Sequence, residues 1–230
     1  AIGYEALGAN TSGDLNTATG YQALKNNVNG TRNTAYGFRS LYSNISGNQN
    51  TANGRRALGI NTTGSNNTAT GNAALYYNIG GENNTAVGHE ALFKNTTGSK
   101  NTAIGYGALS TTTTVTGLTA IGYEALGANT SGVSNTAIGY ESLSANTIGN
   151  NNTANGYQAL KSNTTGNYNT AVGFLALTAN VSGFYNTAIG YKSLLTNNTG
   201  HHNTATGRRA LSNNTWGSYN TAIGNAALYY

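Results

Sequence analysis

The sequence predicts an all-β chain, a parallel β-solenoid (β-roll) of 17-residue coils, and three observations carry that expectation. The string Asn-Thr-Ala-x-Gly recurs at intervals of 17 residues from Asn16 to Asn220, with Leu118 replacing the Asn once. Gly, Asn and Thr together supply 105 of the 230 residues. Pro is absent, as expected where nearly every backbone donor is wanted by a neighbouring coil. A period of 17 is too short for helical or leucine-rich repeats, which need about 33 and about 20 residues. It suits one turn of β-structure stacked about 4.8 Å from the next, so about 13.5 coils would rise roughly 65 Å.

The unit reads N-T-A-x-G-Y-x-A-L-x-x-N-T-T-G-x-x, with positions counted from its first Asn. Two short strands and two turns per coil are expected from its length. Position 3 is always Ala, position 5 always Gly and position 9 always Leu, which assigns them to a tight interior. Ala103, Gly105, Leu109, Ala137, Gly139, Leu143, Ala171, Gly173 and Leu177 are therefore the predicted core. Position 4 varies among Ile, Val, Thr, Tyr and Asn and points outward, while position 7 is mostly polar and faces water. The stretch from Asn at position 12 to Gly at position 15, as in Asn163 to Gly166, reads as a corner with Gly at positive φ.

Asparagines at positions 1 and 12 recur in register, so their amides should bond along the axis as ladders. Asn95, Asn129, Asn146 and Asn163 are the position-12 candidates. Position 6 forms a mostly aromatic column that includes Tyr106, Tyr123, Tyr140, Tyr157, Phe174 and Tyr191, a candidate interface or ligand surface. One Leu per coil contributes roughly 2 to 3 kcal/mol, against roughly 17 to 34 kcal/mol for ordering 17 residues. A lone coil stack thus looks underfilled. Packing of columns 4 and 6 against further copies of the chain, about an axis along the stack, would supply the missing burial.

The repeats span residues 1–230 as a single array, with Ser110 to Leu118 as its irregular stretch. That stretch lacks the Asn and Gly landmarks yet keeps the count of 17, and it directly precedes Ala120 to Gly132, a letter-for-letter copy of Ala1 to Gly13. It reads as a duplication seam. The array starts and stops in mid-unit, which predicts a segment of a longer chain or of an axially stacked polymer.

The recurring N-T-A-I-G, at Asn101 to Gly105, Asn135 to Gly139, Asn186 to Gly190 and Asn220 to Gly224, resembles the head repeats of trimeric autotransporter adhesins. It is similar also to N-T-A-I-G-Y-x-A-L repeats of bacterial surface proteins and phage tail fibres. The resemblance covers the whole chain. It implies a left-handed β-roll, a homotrimer, and an extracellular, cell-surface or virion-fibre location. The unit here is longer than those usual in adhesin heads.

Chemistry is sparse. One Asp and five Glu are present, and Glu5, Glu90, Glu124 and Glu141 share position 7, so they form a solvated column rather than an acid/base pair. His201 and His202 sit at a corner, where three copies around an axis could bind a metal. No catalytic residue, metal ligand or cofactor site is assigned. The formal charge of +5 is dispersed, with Arg55-Arg56 and Arg208-Arg209 nine coils apart, which speaks against nucleic acid. No apolar run is long enough for membrane insertion in this segment. Many position-12 Asn also fit the N-x-[ST] glycosylation pattern, Asn44, Asn95, Asn163 and Asn180 among them. The expectation is a non-enzymatic extracellular structural or adhesive fibre segment whose partners are itself and host-cell glycans or surfaces. Its alternatives are a glycan-binding tail fibre and an ice-binding solenoid with Thr rows.

Overall fold

The computed structural model describes residues 1–229 and is all-β. Thirteen three-residue strands occur once per repeat, always at positions 2 to 4: β1 (Thr17–Thr19), β2 (Thr34–Tyr36), β3 (Thr51–Asn53), β4 (Thr68–Thr70), β5 (Thr85–Val87), β6 (Thr102–Ile104), β7 (Thr119–Ile121), β8 (Thr136–Ile138), β9 (Thr153–Asn155), β10 (Thr170–Val172), β11 (Thr187–Ile189), β12 (Thr204–Thr206) and β13 (Thr221–Ile223). The chain divides into two compact units, Ala1–Gly117 and Leu118–Tyr230. In the first, β1 to β6 pair in chain order, parallel and in register, as in Ala18 with Ala35 and Ala86 with Ala103. In the second, β7 to β13 do the same.

The β-solenoid is thus present with its 17-residue turn, but the second strand expected in each coil is not formed. Backbone bonding between coils nevertheless continues past the strand: Leu24 donates to Ser40, Asn26 to Tyr42, and Val28 to Ile45. What prevents a strand is left-handed backbone. Positions 7, 9 and 17 take positive φ with ordinary side chains, as at Gln22 (55°), Leu24 (50°) and Arg32 (56°). Each such residue costs about 1 to 2 kcal/mol. At position 9 the cost is set against burial: Leu24, Leu58, Leu109 and Leu143 are fully enclosed, worth roughly 2 to 3 kcal/mol each. The turn also breaks strand alternation, so consecutive residues at positions 8 and 9, such as Ala159 and Leu160, both point inward.

The two glycines of the unit are needed for different reasons. At position 5, φ lies between 118° and 144°, and a Cβ at Gly20 would stand 2.6 Å from the carbonyl oxygen of Gly37. Gly105, Gly139 and Gly173 are accordingly half-buried rather than enclosed in the interior, and the bend that a Gly makes cheap at this position, expected from the break in alternation there, is formed. At position 15 the expectation of positive φ fails, because these glycines are not among the left-handed residues. Space is the constraint there: a Cβ at Gly47 would stand 2.5 Å from Asn44 Oδ1 and 2.8 Å from Asn61 Nδ2. The other predicted core residues, Ala103, Leu109, Ala137, Leu143, Ala171 and Leu177, are fully buried.

Much of the space expected to lack apolar filling is occupied by amides. In the position-12 column, Asn163 donates to Asn146 Oδ1 at 2.9 Å and to its own corner carbonyl at Gly166, while Asn180 donates to Asn163 at 2.8 Å. In the position-1 column, the backbone N–H of Asn50 donates to Asn33 Oδ1 at 3.0 Å, and Asn50 Nδ2 crosses the coil to Gly64 O at 2.8 Å. The Gly64 carbonyl also accepts from Asn61. Both columns are buried through most of each unit. Buried amides that were not paired would each cost about 1 to 3 kcal/mol, so the ladders convert an expense into stacking register.

The seam shows what the ladder requires. Thr112 replaces the position-12 Asn and Val115 the position-15 Gly, and Asn95 Oδ1 is left buried with no hydrogen-bond partner. The carbonyl of Val115 still accepts from Asn101 Nδ2 at 2.8 Å.

Candidate functional site

The interior consists mainly of Ala, Leu and Asn amides bonded to one another, Asn95 Oδ1 excepted, so a functional surface has to be sought outside it. In the second unit the position-6 rings of Tyr123, Tyr140, Tyr157, Phe174 and Tyr191 stack in one ladder, with centroids 5.0 to 5.4 Å apart and planes within 11°. The coil repeat dictates this offset stacking, which suits the ring quadrupole. Arg208 caps it, its guanidinium 5.7 Å from the Tyr191 centroid. Every ring of the ladder is exposed, by 39 to 43%. In the first unit Tyr106 stacks on His89 at 5.0 Å, and Tyr4, Tyr21 and Phe38 form a second ladder covered by Arg55. Position 4 adds exposed Ile104, Ile138 and Ile189 on the outward face of the strands.

A further aromatic column lies at positions 16 and 17 of the second unit. Tyr168 stacks on Tyr185 at 4.8 Å, Phe184 on His201 at 4.7 Å, and His202 on Tyr219 at 5.0 Å. Sequence reasoning noted only the two histidines there; aligning position 17 would have revealed Tyr168, Tyr185, His202 and Tyr219 in consecutive coils. His201 Nδ1 pairs with Ser218 Oγ at 2.9 Å. Among the described residues no group of three His, Cys, Asp or Glu is placed to hold a metal ion.

Column 7 carries the charge. Gln22 donates to Glu5 at 2.6 Å and Arg39 Nε to Gln22 at 2.8 Å, so acid, amide and base are linked along three coils. The Lys25 ammonium and the Gln22 amide hold the Glu5 carboxyl below its ordinary range, and Lys25 is raised in return by its bond to Glu5. Lys161 and Gln158 depress Glu141 in the same way.

The predicted ladder residues Asn95, Asn129, Asn146 and Asn163 are all fully buried. So are Asn44 and Asn180, and each of these amides bonds inside the coil. A glycan on Asn44, Asn95, Asn163 or Asn180 would require pulling the amide out of its column.

No protein-family model, curated protein or solved structure matches the chain. No helix is long and apolar enough to cross a membrane among the described residues.

Proposed function

We propose that this chain is a non-enzymatic structural and adhesive segment of an extracellular or cell-surface fibre, in which a stiff β-solenoid displays repeated side chains. The observation that carries the reading is the exposed five-ring ladder from Tyr123 to Tyr191, placed on a coil whose own interior is already closed. Such a continuous aromatic strip, two residues beyond strands that end in Ile138, Val172 and Ile189, suits association with other copies of the chain. A homotrimer with its axis along the coil stack would cover the strip, and its handedness would be that of a left-handed β-roll. The function needs no cofactor, metal or nucleic acid.

The test is the mass of the particle in solution, by ultracentrifugation or light scattering, for the wild type and for the double variant Tyr140→Ala/Tyr157→Ala. A trimer that the double variant converts to monomers supports the reading. A monodisperse wild-type monomer overturns both the trimer and the filament.

A second reading, glycan binding, is favoured by the cations set over rings at Phe38 and Tyr191. Ice binding has less behind it. Thr is continuous at position 2 but is replaced at most position-4 sites.

A further inference from the structure

We infer that a cleft in the first unit, walled by Tyr42 and Tyr76 and rimmed by Arg39 and Arg56, binds carboxylated saccharides of the uronate type. The inference deepens the glycan-binding reading and does not depend on self-association.

The cleft exists because the position-10 column loses one side chain. Tyr42 and Tyr76 occupy that column two coils apart, and between them stands Gly59. The gap has a volume of about 240 Å³, with Gly59 and Ile60 among its lining residues. That is below the roughly 300 to 1,000 Å³ of drug-sized pockets, so it fits one ring and not a nucleotide. The Tyr76 ring leans over the glycine, with Cε2 2.6 Å from where a Cβ would be. Its other neighbours are Phe93 and Tyr77.

The rim is cationic, and its compensation is indirect: Arg39 Nε donates to Gln22, which donates to Glu5, and Arg56 shares the lining of a neighbouring cleft with Glu90. Arg39 and Arg56 hold position 7 of adjacent coils, whose backbones stack roughly 4.8 Å apart, and both line the cleft. Elsewhere this column sets Gln beside Glu, as at Gln158 and Glu141. Among the described residues neither arginine has a carboxylate partner, since the ion pairs are Lys25 with Glu5 and Lys161 with Glu141. The Arg39 guanidinium is already held in place, its carbon 5.3 Å from both the Phe38 and Tyr42 centroids and its Nε bonded to Gln22 Oε1 at 2.8 Å, which reduces the entropy lost when its remaining N–H groups grip an anion. A carboxylate bridging the two guanidinium forks would turn their repulsion into two charge-assisted contacts.

Ring and charge together select the ligand class. A bare anion would use the arginines and leave the aromatic wall empty; a neutral sugar would use the wall and leave the arginines unpaired. A uronate presents a C–H face for stacking and a carboxylate at its edge. A second cleft of about 240 Å³ adjoins the first and shares Arg56 and Tyr76, with Glu90 in its lining. Its mixed charge suits the hydroxyls of a neighbouring residue, so an oligosaccharide fits better than a monomer.

The experiment is calorimetric titration of the full chain with tetragalacturonate, its methyl ester, and inorganic phosphate. Tetragalacturonate should bind at least tenfold more tightly than the ester or phosphate. Arg56→Gln should weaken it at least tenfold. Gly59→Ala, whose methyl would meet the Tyr76 ring and displace that wall while leaving the charge unchanged, should weaken it at least fivefold. Arg209→Gln in the second unit should leave it unaltered, and unchanged circular dichroism of each variant excludes unfolding. Equal binding of ester and acid, insensitive to Arg56→Gln, would overturn the uronate site while sparing glycan binding. Equal binding of phosphate and tetragalacturonate would reduce the cleft to a plain anion site, and no binding of any saccharide would overturn both.

Discussion

Of the three landmark residues replaced in the seam, Thr112, Val115 and Leu118, the first two are a matched pair, and a double-mutant cycle tests this directly. Wherever position 12 is a buried Asn beside a Gly at position 15, a Cβ on that Gly would overlap the Asn Oδ1, as at Gly47 and Asn44. Thr112 and Val115 break both halves of the rule at once. Thr112→Asn alone should force the new amide into the Val115 side chain, an overpacking cost of about 1 to 3 kcal/mol. Val115→Gly alone removes a side chain that is 7% exposed, costing about 1.5 to 3 kcal/mol for lost burial and about 0.5 to 1 kcal/mol for glycine's freedom. In the double variant the introduced amide can donate to Asn95 Oδ1, relieving an orphaned acceptor worth about 1 to 3 kcal/mol. That relief roughly offsets the lost valine, so the double variant should lie within about 1.5 kcal/mol of wild type. The coupling should then be at least about 2 kcal/mol. Urea unfolding of the four proteins measures it. Hydrogen exchange at the amides of Leu92 to Thr97 adds coil resolution, which is needed because repeat arrays depart from two-state behaviour. Additivity within about 0.5 kcal/mol would refute the pairing of positions 12 and 15.

Other outcomes follow from the same geometry. Asn163→Ala strips a donor from Asn146 Oδ1 and an acceptor from Asn180; it should cost about 2 to 5 kcal/mol, whereas Asn198→Ala at an exposed site should cost under about 1 kcal/mol, both read from urea midpoints. Leu160→Ala should cost about 2 to 5 kcal/mol by the same assay. Glu124, at φ 50°, should gain up to about 1 kcal/mol on replacement by Gly, since about 1 to 2 kcal/mol of left-handed strain exceeds about 0.5 to 1 kcal/mol of added chain entropy; thermal melts against Glu124→Val, which should lose stability, give the sign. The Glu141 carboxyl is held low by Lys161 and Gln158, so its contribution is complete above the ordinary carboxylate range and is lost as pH falls through the depressed value. Glu141→Gln should therefore flatten the acid limb of a stability-against-pH curve slightly, with little change at neutral pH.

The coil length, the outward position 4 and the ladder asparagines were legible because strict periodicity reports equivalent environments. Asn163 could be placed in a column from its recurrence alone. The second strand was not formed because alternation assumes extended backbone, and nothing in the letters of Gln22 or Leu24 announces φ near 50°. Gly47 was correctly placed at a corner but for the wrong reason: its φ is not left-handed, and the Gly64 carbonyl of the next coil and the Asn44 and Asn61 amides claim the space. The aromatic column ending at Tyr219 was present in the sequence but hidden in a position where earlier coils carry polar residues. The cleft at Gly59 was less visible still, since it arises from a side chain that is missing from a column.

The ladders also bear on how such a gene changes. Each amide bonds its counterpart one repeat away, so loss or gain of a whole repeat by recombination leaves donors and acceptors matched. Insertion or deletion of one codon within a repeat shifts the residues that follow out of register. Jumps in length by whole units should therefore be tolerated better than smaller ones, and the recurrence of Ala1 to Gly13 at Ala120 to Gly132, seven whole units on, keeps that register.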